Sequence, residues 1–160
     1  MILGAGGAAK SIVTQAVLDG AKKVSIYVRP QSLVKAKENF RTLLDQTDCY
    51  LEFHDLTDAD HFQKELRQTD LLVNATSVGM DGESLPISID TSFPKELLVA
   101  DIIYQPFETP FLALARKQEI EAVNGLGMLL YQAAGAFKLW TGENMPTGAI
   151  WQELENIYNS

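Results

Sequence analysis

The sequence predicts an α/β domain: a doubly wound parallel sheet forming a single domain over residues 1–160, with helices at its C-terminal end. Three observations carry this. Short β-branched runs alternate with amphipathic stretches along the whole chain, the order that places helices on both faces of a parallel sheet. A small-residue segment, Gly4-Ala5-Gly6-Gly7-Ala8-Ala9, separates the first strand from the first helix. The chain of 160 residues is 46% hydrophobic and 21% charged, which suits one domain with a buried core and argues against disorder.

The elements follow in order. Residues 1–3 are an apolar strand running into the glycine turn. Residues 22–28 (KKVSIYV) alternate as a strand does. Residues 32–44 read as one helix with Leu33, Ala36, Phe40 and Leu44 on one face. Residues 50–54 are a third strand. Residues 58–67 are a helix that Asp58 can cap. The runs 71–73 and 98–100 are short buried strands. Between them, 81–94 (DGESLPISIDTSFP) is the longest irregular stretch, either functional or a plain surface excursion. Residues 110–118 form a helix with Pro110 in its first turn, 120–123 a last strand, and 128–140 and 147–158 two closing helices. No repeat or low-complexity tract interrupts the pattern. A three-residue first strand is unusual, because that strand is normally central in such a sheet. The expectation is therefore a piece of a longer protein, cut just before its nucleotide-binding half.

Thirteen Lys and Arg against 21 Asp and Glu give a net charge of −8. Such a field does not draw in nucleic acid or an anionic membrane. No apolar run reaches the roughly 20 residues that span a bilayer, and no secretory signal is visible. A single cysteine, Cys49, excludes an internal disulfide and fits a reducing compartment, so a cytoplasmic location is expected.

Residues 4–9 match G-x-G-x-x-A, one form of the dinucleotide-binding fingerprint. Gly4 allows the tight turn, Gly6 lets the backbone approach a pyrophosphate, and Ala9 lets the helix pack close to the strand. The helix N-terminus then offers free N–H groups to the anion. Lys10 either adds charge there or is simply solvated. The plainer alternative for the whole segment is a tight turn without a ligand. An NAD site would place a carboxylate at the end of the second strand, ~20 residues on. Val28-Arg29-Pro30 stands there instead. Arginine pairs with a 2′-phosphate, so NADP is favoured over NAD, unless Arg29 is merely a solvated strand-end residue.

Two later segments, Asn74-Ala75-Thr76-Ser77-Val78-Gly79-Met80 and 124–134 (NGLGMLLYQAA), flank Asp101-Ile102-Ile103-Tyr104-Gln105-Pro106 and Thr109-Pro110. With the glycine segment, these resemble the C-terminal, NADP-binding half of the shikimate/quinate dehydrogenase family, from residue 1 to about residue 142. The resemblance implies a Rossmann-type fold and NADPH-dependent reduction of 3-dehydroshikimate to shikimate, in aromatic amino-acid biosynthesis. It implies that Gly4, Ala5, Gly6, Gly7 and Ala8 hold the pyrophosphate and Arg29 the 2′-phosphate. Thr76 lines the cofactor cleft. Ile102 and Gly125 flank the nicotinamide with Met128 nearby, the glycine leaving room for the ring. Tyr104 and Gln132 reach the substrate. Taken alone, Gln132 could equally be an interior amide bonded to backbone, and Met128, Leu129 and Leu130 could be core.

The chain departs from the family pattern. The Asn-Arg-Thr usual after the second strand is Val28-Arg29-Pro30, and a further basic position is Leu33, with Lys35 the nearest substitute. By the resemblance, the lysine and aspartate that do the acid–base work belong to the preceding domain, so no catalytic residue is expected in this chain. It should bind cofactor without turnover. Two other readings stay open: a non-catalytic dinucleotide-binding module, and an NAD-using quinate or shikimate relative. No metal site is expected. His54, Asp55, Asp58, Asp60 and His61 have ligand chemistry, but their spacing matches no shared helix face. Trp140, Ile150, Trp151, Leu154 and Tyr158 on the last helices either pack into the domain or leave apolar surface for self-association.

Overall fold

Residues 1–159 are described by a computed structural model. They form six parallel strands: β1 (Ile2–Leu3), β2 (Lys23–Val28), β3 (Tyr50–Asp55), β4 (Leu71–Asn74), β5 (Leu98–Asp101) and β6 (Glu121–Val123). The strand order is β3-β2-β1-β4-β5-β6. The helices are α1 (Gly7–Leu18), α2 (Leu33–Asn39), α3 (Arg41–Leu44), α4 (Ala59–Leu66), α5 (Pro110–Lys117), α6 (Leu126–Thr141) and α7 (Thr147–Asn159). Short as it is, β1 is central: Leu3 sits level with Tyr27 of β2 on one side and Asn74 of β4 on the other. The direction of winding reverses here, at β1 and β4, and in doubly wound sheets ligands bind outside the strand ends at that point.

Alternation along each strand feeds two cores. Leu3, Tyr27, Leu72 and Val99 point to a cluster completed by Phe62 and Leu66 of α4 and by Phe111 and Leu112 of α5. Their neighbours Ile2, Ile26 and Val73 point the other way, to Ala9 and Val13 of α1 and to Ala36 and Phe40. Both faces of the sheet are therefore covered, as the near-continuous apolar strands require.

Two caps work as their sequences imply. The Asp58 carboxylate accepts the His61 N–H at the start of α4, and Thr109 caps α5 with Pro110 at its first position. The helix expected over 32–44 is a difference. A 3₁₀ turn (Pro30–Ser32) precedes α2, and the helix breaks at Phe40 before α3. Phe40 is fully buried edge-on to Phe53, with ring centroids 5.7 Å apart. The bend that seats its ring resets the helical phase, so Leu43 packs on the core and Leu44 is exposed.

The irregular stretch 81–94 is stitched down. Asp81 accepts the Glu83 and Ser84 N–H groups at 3.0 and 2.8 Å, and the Ser84 hydroxyl as well. Gln63 of α4 bonds both the carbonyl and the N–H of Ser92, and Gln118 does the same for the Thr91 carbonyl and the Phe93 N–H. Side-chain amides thus satisfy backbone groups that no neighbouring strand can reach. Among the described residues no helix is long and apolar enough to cross a membrane.

Candidate dinucleotide-binding site

The turn after β1 is shaped by its neighbours. Gly4 donates its N–H to the Tyr27 carbonyl at 2.8 Å and has φ +99°. A Cβ there would lie 2.9 Å from the Thr76 methyl and 3.0 Å from the Ala75 carbonyl oxygen. Backbone angle and space both demand glycine. Gly6 differs. Its φ is −79°, and a Cβ would meet no protein atom within 4 Å. The chain itself gives no reason for glycine at 6, whereas close approach of a ligand to the backbone does. Helix α1 begins at the next residue with no side-chain cap and no acid in its first turn. Its first N–H groups and positive dipole end are left for an anion. Ala9 is fully buried against the sheet, as its size allows, and Lys10 is exposed. The Asn39 side-chain amide donates to the Ala5 carbonyl at 3.2 Å, holding the loop from α2.

A cavity of about 450 Å³ opens beside this turn. Gly6, Gly7 and Ala8 form one wall, Thr76 and Ser77 the second, and Ile102 and Tyr104 the end. Thr76 is firmly held. Its N–H and hydroxyl both donate to Asn74 Oδ1, at 3.1 and 2.7 Å, and its hydroxyl accepts the Val78 N–H at 3.1 Å. The donor set suits a dinucleotide: free backbone N–H groups for the pyrophosphate and an apolar slot for a flat ring. Asn74 belongs to the motif segment 74–80, and its role is to hold Thr76 in place. Only its burial marks it out.

A second cavity, about 560 Å³, adjoins the first at Ile102 and takes in Gly125, Met128 and Trp151. Gly125 borders that open space, but its own Cβ position is filled: a Cβ at 125 would lie 1.9 Å from the Ile102 carbonyl oxygen, and the Gly125 N–H donates to the Ile103 carbonyl at 2.9 Å. Glycine is required there by backbone against backbone.

Four of the expected residues line neither cavity: Gly4 and Ala5, which shape the turn itself, and Arg29 and Gln132. Arg29 is exposed just beyond β2; its carbonyl accepts the Ser32 N–H at 2.8 Å, while its guanidinium has no hydrogen-bond or ion-pair partner among the described residues. It lies two residues past Tyr27, whose carbonyl holds Gly4, so it shares the sheet edge with the glycine turn. Gln132 lies exposed on α6, which removes the reading of it as an interior amide. Tyr104 and Met128 are also partly exposed, and of the 128–130 run only Leu130 is core.

The ligand-type residues near β3 form a different cluster. The Lys23 ammonium bridges Glu52 and Glu65 at 2.6 and 3.0 Å, and Ser25 donates to Glu65 at 2.8 Å. Lys23 holds the Glu52 carboxyl below the usual range. Burial raises the Glu65 carboxyl, but hydrogen bonds from Ser25 and Lys23 outweigh it and leave it lowered. The His54 ring lies tilted against His61, with centroids 4.4 Å apart, and His61 bonds the Tyr27 hydroxyl at 2.9 Å. The lysine already occupies both carboxylates and offsets one of their two charges. Burial pushes the Cys49 thiol pKa up, away from a nucleophile's range.

Of the closing aromatics, Tyr158 stacks on Phe107 with centroids 4.9 Å apart, and Trp151 packs over Gly127. Ile150 and Leu154 are half-buried, whereas Leu139 and Trp140 are 86% and 84% exposed. Of the five aromatic and aliphatic residues expected at this end, four are partly buried and Trp140 is left exposed.

The sheet order, the glycine turn at its reversal point and the uncapped helix behind it define a Rossmann-type α/β domain. The family model for the shikimate 5′-dehydrogenase C-terminal domain matches residues 125–155. A shikimate dehydrogenase (NADP(+)) of Streptococcus thermophilus is 99% identical over all 160 residues, which cover 56% of that relative. Two solved structures are similar in fold. Shikimate 5-dehydrogenase from Listeria monocytogenes, in complex with shikimate and NAD, has a TM-score of 0.86 and 39% identity over 96% of this chain and 54% of its own. Shikimate 5-dehydrogenase from Thermus thermophilus, in complex with NADP(H) and shikimate, has a TM-score of 0.72 and 32% identity over 92% and 50%. The chain belongs to the shikimate dehydrogenase family and matches its C-terminal domain. It spans about half the length of the curated relatives it matches.

Proposed function

We propose that this domain binds NADP(H) and is the cofactor half of an oxidoreductase that reduces 3-dehydroshikimate to shikimate, a step toward aromatic amino acids. The observation that carries the reading is the meeting, at one sheet edge, of three features. They are an unfilled approach to Gly6, an uncapped helix end at Gly7 and an unpaired guanidinium at Arg29. The first two suit a pyrophosphate, and the third suits an additional phosphate on the adenosine ribose. The absence of a carboxylate at the end of β2 removes the group that would repel that phosphate.

On this reading Gly4, Ala5, Gly6, Gly7 and Ala8 cradle the pyrophosphate, and Thr76 lines the path toward the second cavity. Ile102, Gly125 and Met128 flank the nicotinamide. Tyr104 and Gln132 face the substrate, a ring acid whose hydroxyls a phenol and an amide can both donate to and accept from. The bound dinucleotide supplies the hydride, and the residues of this chain bind it, orient it and exclude water. The acid–base group that protonates the reduced oxygen belongs to the other half of the enzyme, so the 160 residues alone bind without turnover. A cytoplasmic setting goes with this reading, supported by the lone Cys49. Self-association through Leu139 and Trp140 of α6 goes with it too.

Calorimetric titration with NADP⁺ and then NAD⁺ at fixed salt tests it. Saturable binding that prefers NADP⁺ is expected. Equal or NAD⁺-preferring binding would overturn the assignment to Arg29, and no binding of either would overturn the reading as a whole. Steady oxidation of shikimate by these 160 residues would overturn the placing of the acid–base group elsewhere.

A further inference from the structure

Asp101 is buried at the C-terminal end of β5, and nothing above assigns it a role. Its carboxylate meets donors only. Oδ1 accepts the Asn74 side-chain amide at 3.1 Å and the Ile103 N–H at 3.0 Å, and Oδ2 accepts the Thr109 hydroxyl at 2.8 Å. It forms no ion pair among the described residues. Burial pushes its pKa up, opposed by these three hydrogen bonds.

Each donor belongs to a different piece of the site. Asn74 ends β4, and its own Oδ1 holds Thr76 by N–H and hydroxyl. The Thr76 methyl in turn lies against Gly4, the turn residue of β1. Ile103 stands between Ile102 and Tyr104, which close the end of the cavity. Thr109 caps α5, its hydroxyl accepting the Leu112 N–H at 3.3 Å. A continuous run of contacts therefore links the glycine turn to the opposite wall: Gly4, Thr76, Asn74, Asp101, Ile103.

We propose that Asp101 is a positioning residue for the dinucleotide: it takes the Asn74 amide and the Ile103 N–H on one oxygen and so sets the gap between the Thr76 wall and the Ile102–Tyr104 wall. The inference rests on the reading of this cavity as a dinucleotide site. The chemistry requires a carboxylate's acceptor capacity. Both walls present donors to the same buried point. The Ile102 N–H to Asn74 carbonyl bond already joins their backbones, and an apolar side chain at 101 would leave the Asn74 amide and the Ile103 N–H unsatisfied. Three donors converging on one fixed carboxylate define a single arrangement of the walls, the kind of support that keeps a binding site pre-formed.

The test uses the full chain and NADP⁺, with calorimetric Kd measured where circular dichroism shows every variant folded, beside thermal unfolding. Asp101→Ala is expected to weaken binding about tenfold, the scale of one lost buried hydrogen-bond set. Asp101→Asn keeps one oxygen for Asn74 and Ile103 and lets the Thr109 hydroxyl turn round to accept, so it should recover to within about threefold of wild type. Leu66→Ala, a buried position in α4 that does not line the cavity, is the stability control: a lower Tm with unchanged Kd. Wild-type affinity in Asp101→Ala overturns the inference, and so does a parallel loss in Leu66→Ala. If Asp101→Ala does not fold, Asn74→Ala breaks the same link between walls, and unchanged affinity there overturns it equally. Failure of the wild-type chain to bind any dinucleotide overturns the functional reading itself, and the inference with it.

Discussion

The Ile102 carbonyl oxygen lies 1.9 Å from the point where a Cβ on Gly125 would stand. Residue 125 begins the segment leading into α6, and Ile102 follows β5, so this contact sets how closely α6 approaches the sheet edge. It also makes Ile102 a wall shared by both cavities.

Gly125→Ala should therefore be severe. A methyl cannot fit without moving the Ile102 or Gly125 backbone, and overpacking of this kind costs about 3 kcal/mol. A fall in Tm of many degrees is expected in thermal unfolding, with loss of NADP⁺ binding in whatever folded protein remains. A near-normal Tm would mean that α6 can shift away freely.

Arg29→Ala should separate the two dinucleotides. The guanidinium is exposed and bonded to nothing in the protein, so stability should not change. A lost charge-assisted contact to phosphate is worth about 1.5–3 kcal/mol, or roughly ten- to hundredfold in NADP⁺ affinity. NAD⁺ affinity should stay within about twofold. Equal losses for both, read by competitive titration, would place the 2′-phosphate elsewhere.

The Lys23–Glu52–Glu65 cluster predicts a pH-dependent stability. Glu52 and Glu65 bind protons less readily in the folded chain, so their contribution is present above the ordinary glutamate value of about 4.3 and is lost as pH falls below it. The Lys23 pKa is raised, chiefly by its hydrogen bond to Glu52. Its contribution is therefore present below the ordinary lysine value of about 10.4 and is lost as pH rises above it. Lys23→Met leaves two carboxylates facing one another at neutral pH, a repulsion that protonation relieves. Its Tm deficit should shrink between pH 7 and pH 4. An equal deficit at both would assign the effect to packing alone.

Leu139 and Trp140 leave a contiguous apolar surface late in α6. Sedimentation of the chain should show concentration-dependent association, and Leu139→Glu with Trp140→Ser should abolish it with little change in Tm. A strict monomer at high concentration in the unaltered chain would remove this surface as a contact.

The sequence was informative wherever local chemistry decides. The Asp58 cap is written in a polar residue ahead of an amphipathic run, and it forms as written. Phe40 is the counter-example. It fits a helical stripe, yet the helix breaks where its ring is buried edge-on to Phe53, and no local pattern encodes that contact. Gln132 and Tyr104 were grouped by motif, but the chain alone sets them apart, one exposed on α6 and the other at a cavity wall. Asn74 and Asp101 stand in motif segments that give them no individual role, and Asn39 in none, because their meaning is who they touch.

The amino-acid sequence by itself determined the order of strands and helices, the turn at Gly4 and the lack of an acid after β2. Periodicity, turn geometry and capping act over a few residues and can be read directly. Tertiary structure alone decided that Thr76 presses on Gly4, that Ile102 closes on Gly125 and that Asp101 joins the two walls. Those contacts arise from strand order, which brings β1, β4 and β5 side by side. Residues far apart in the chain then share one buried point, where the need to satisfy every donor fixes the shape of the site.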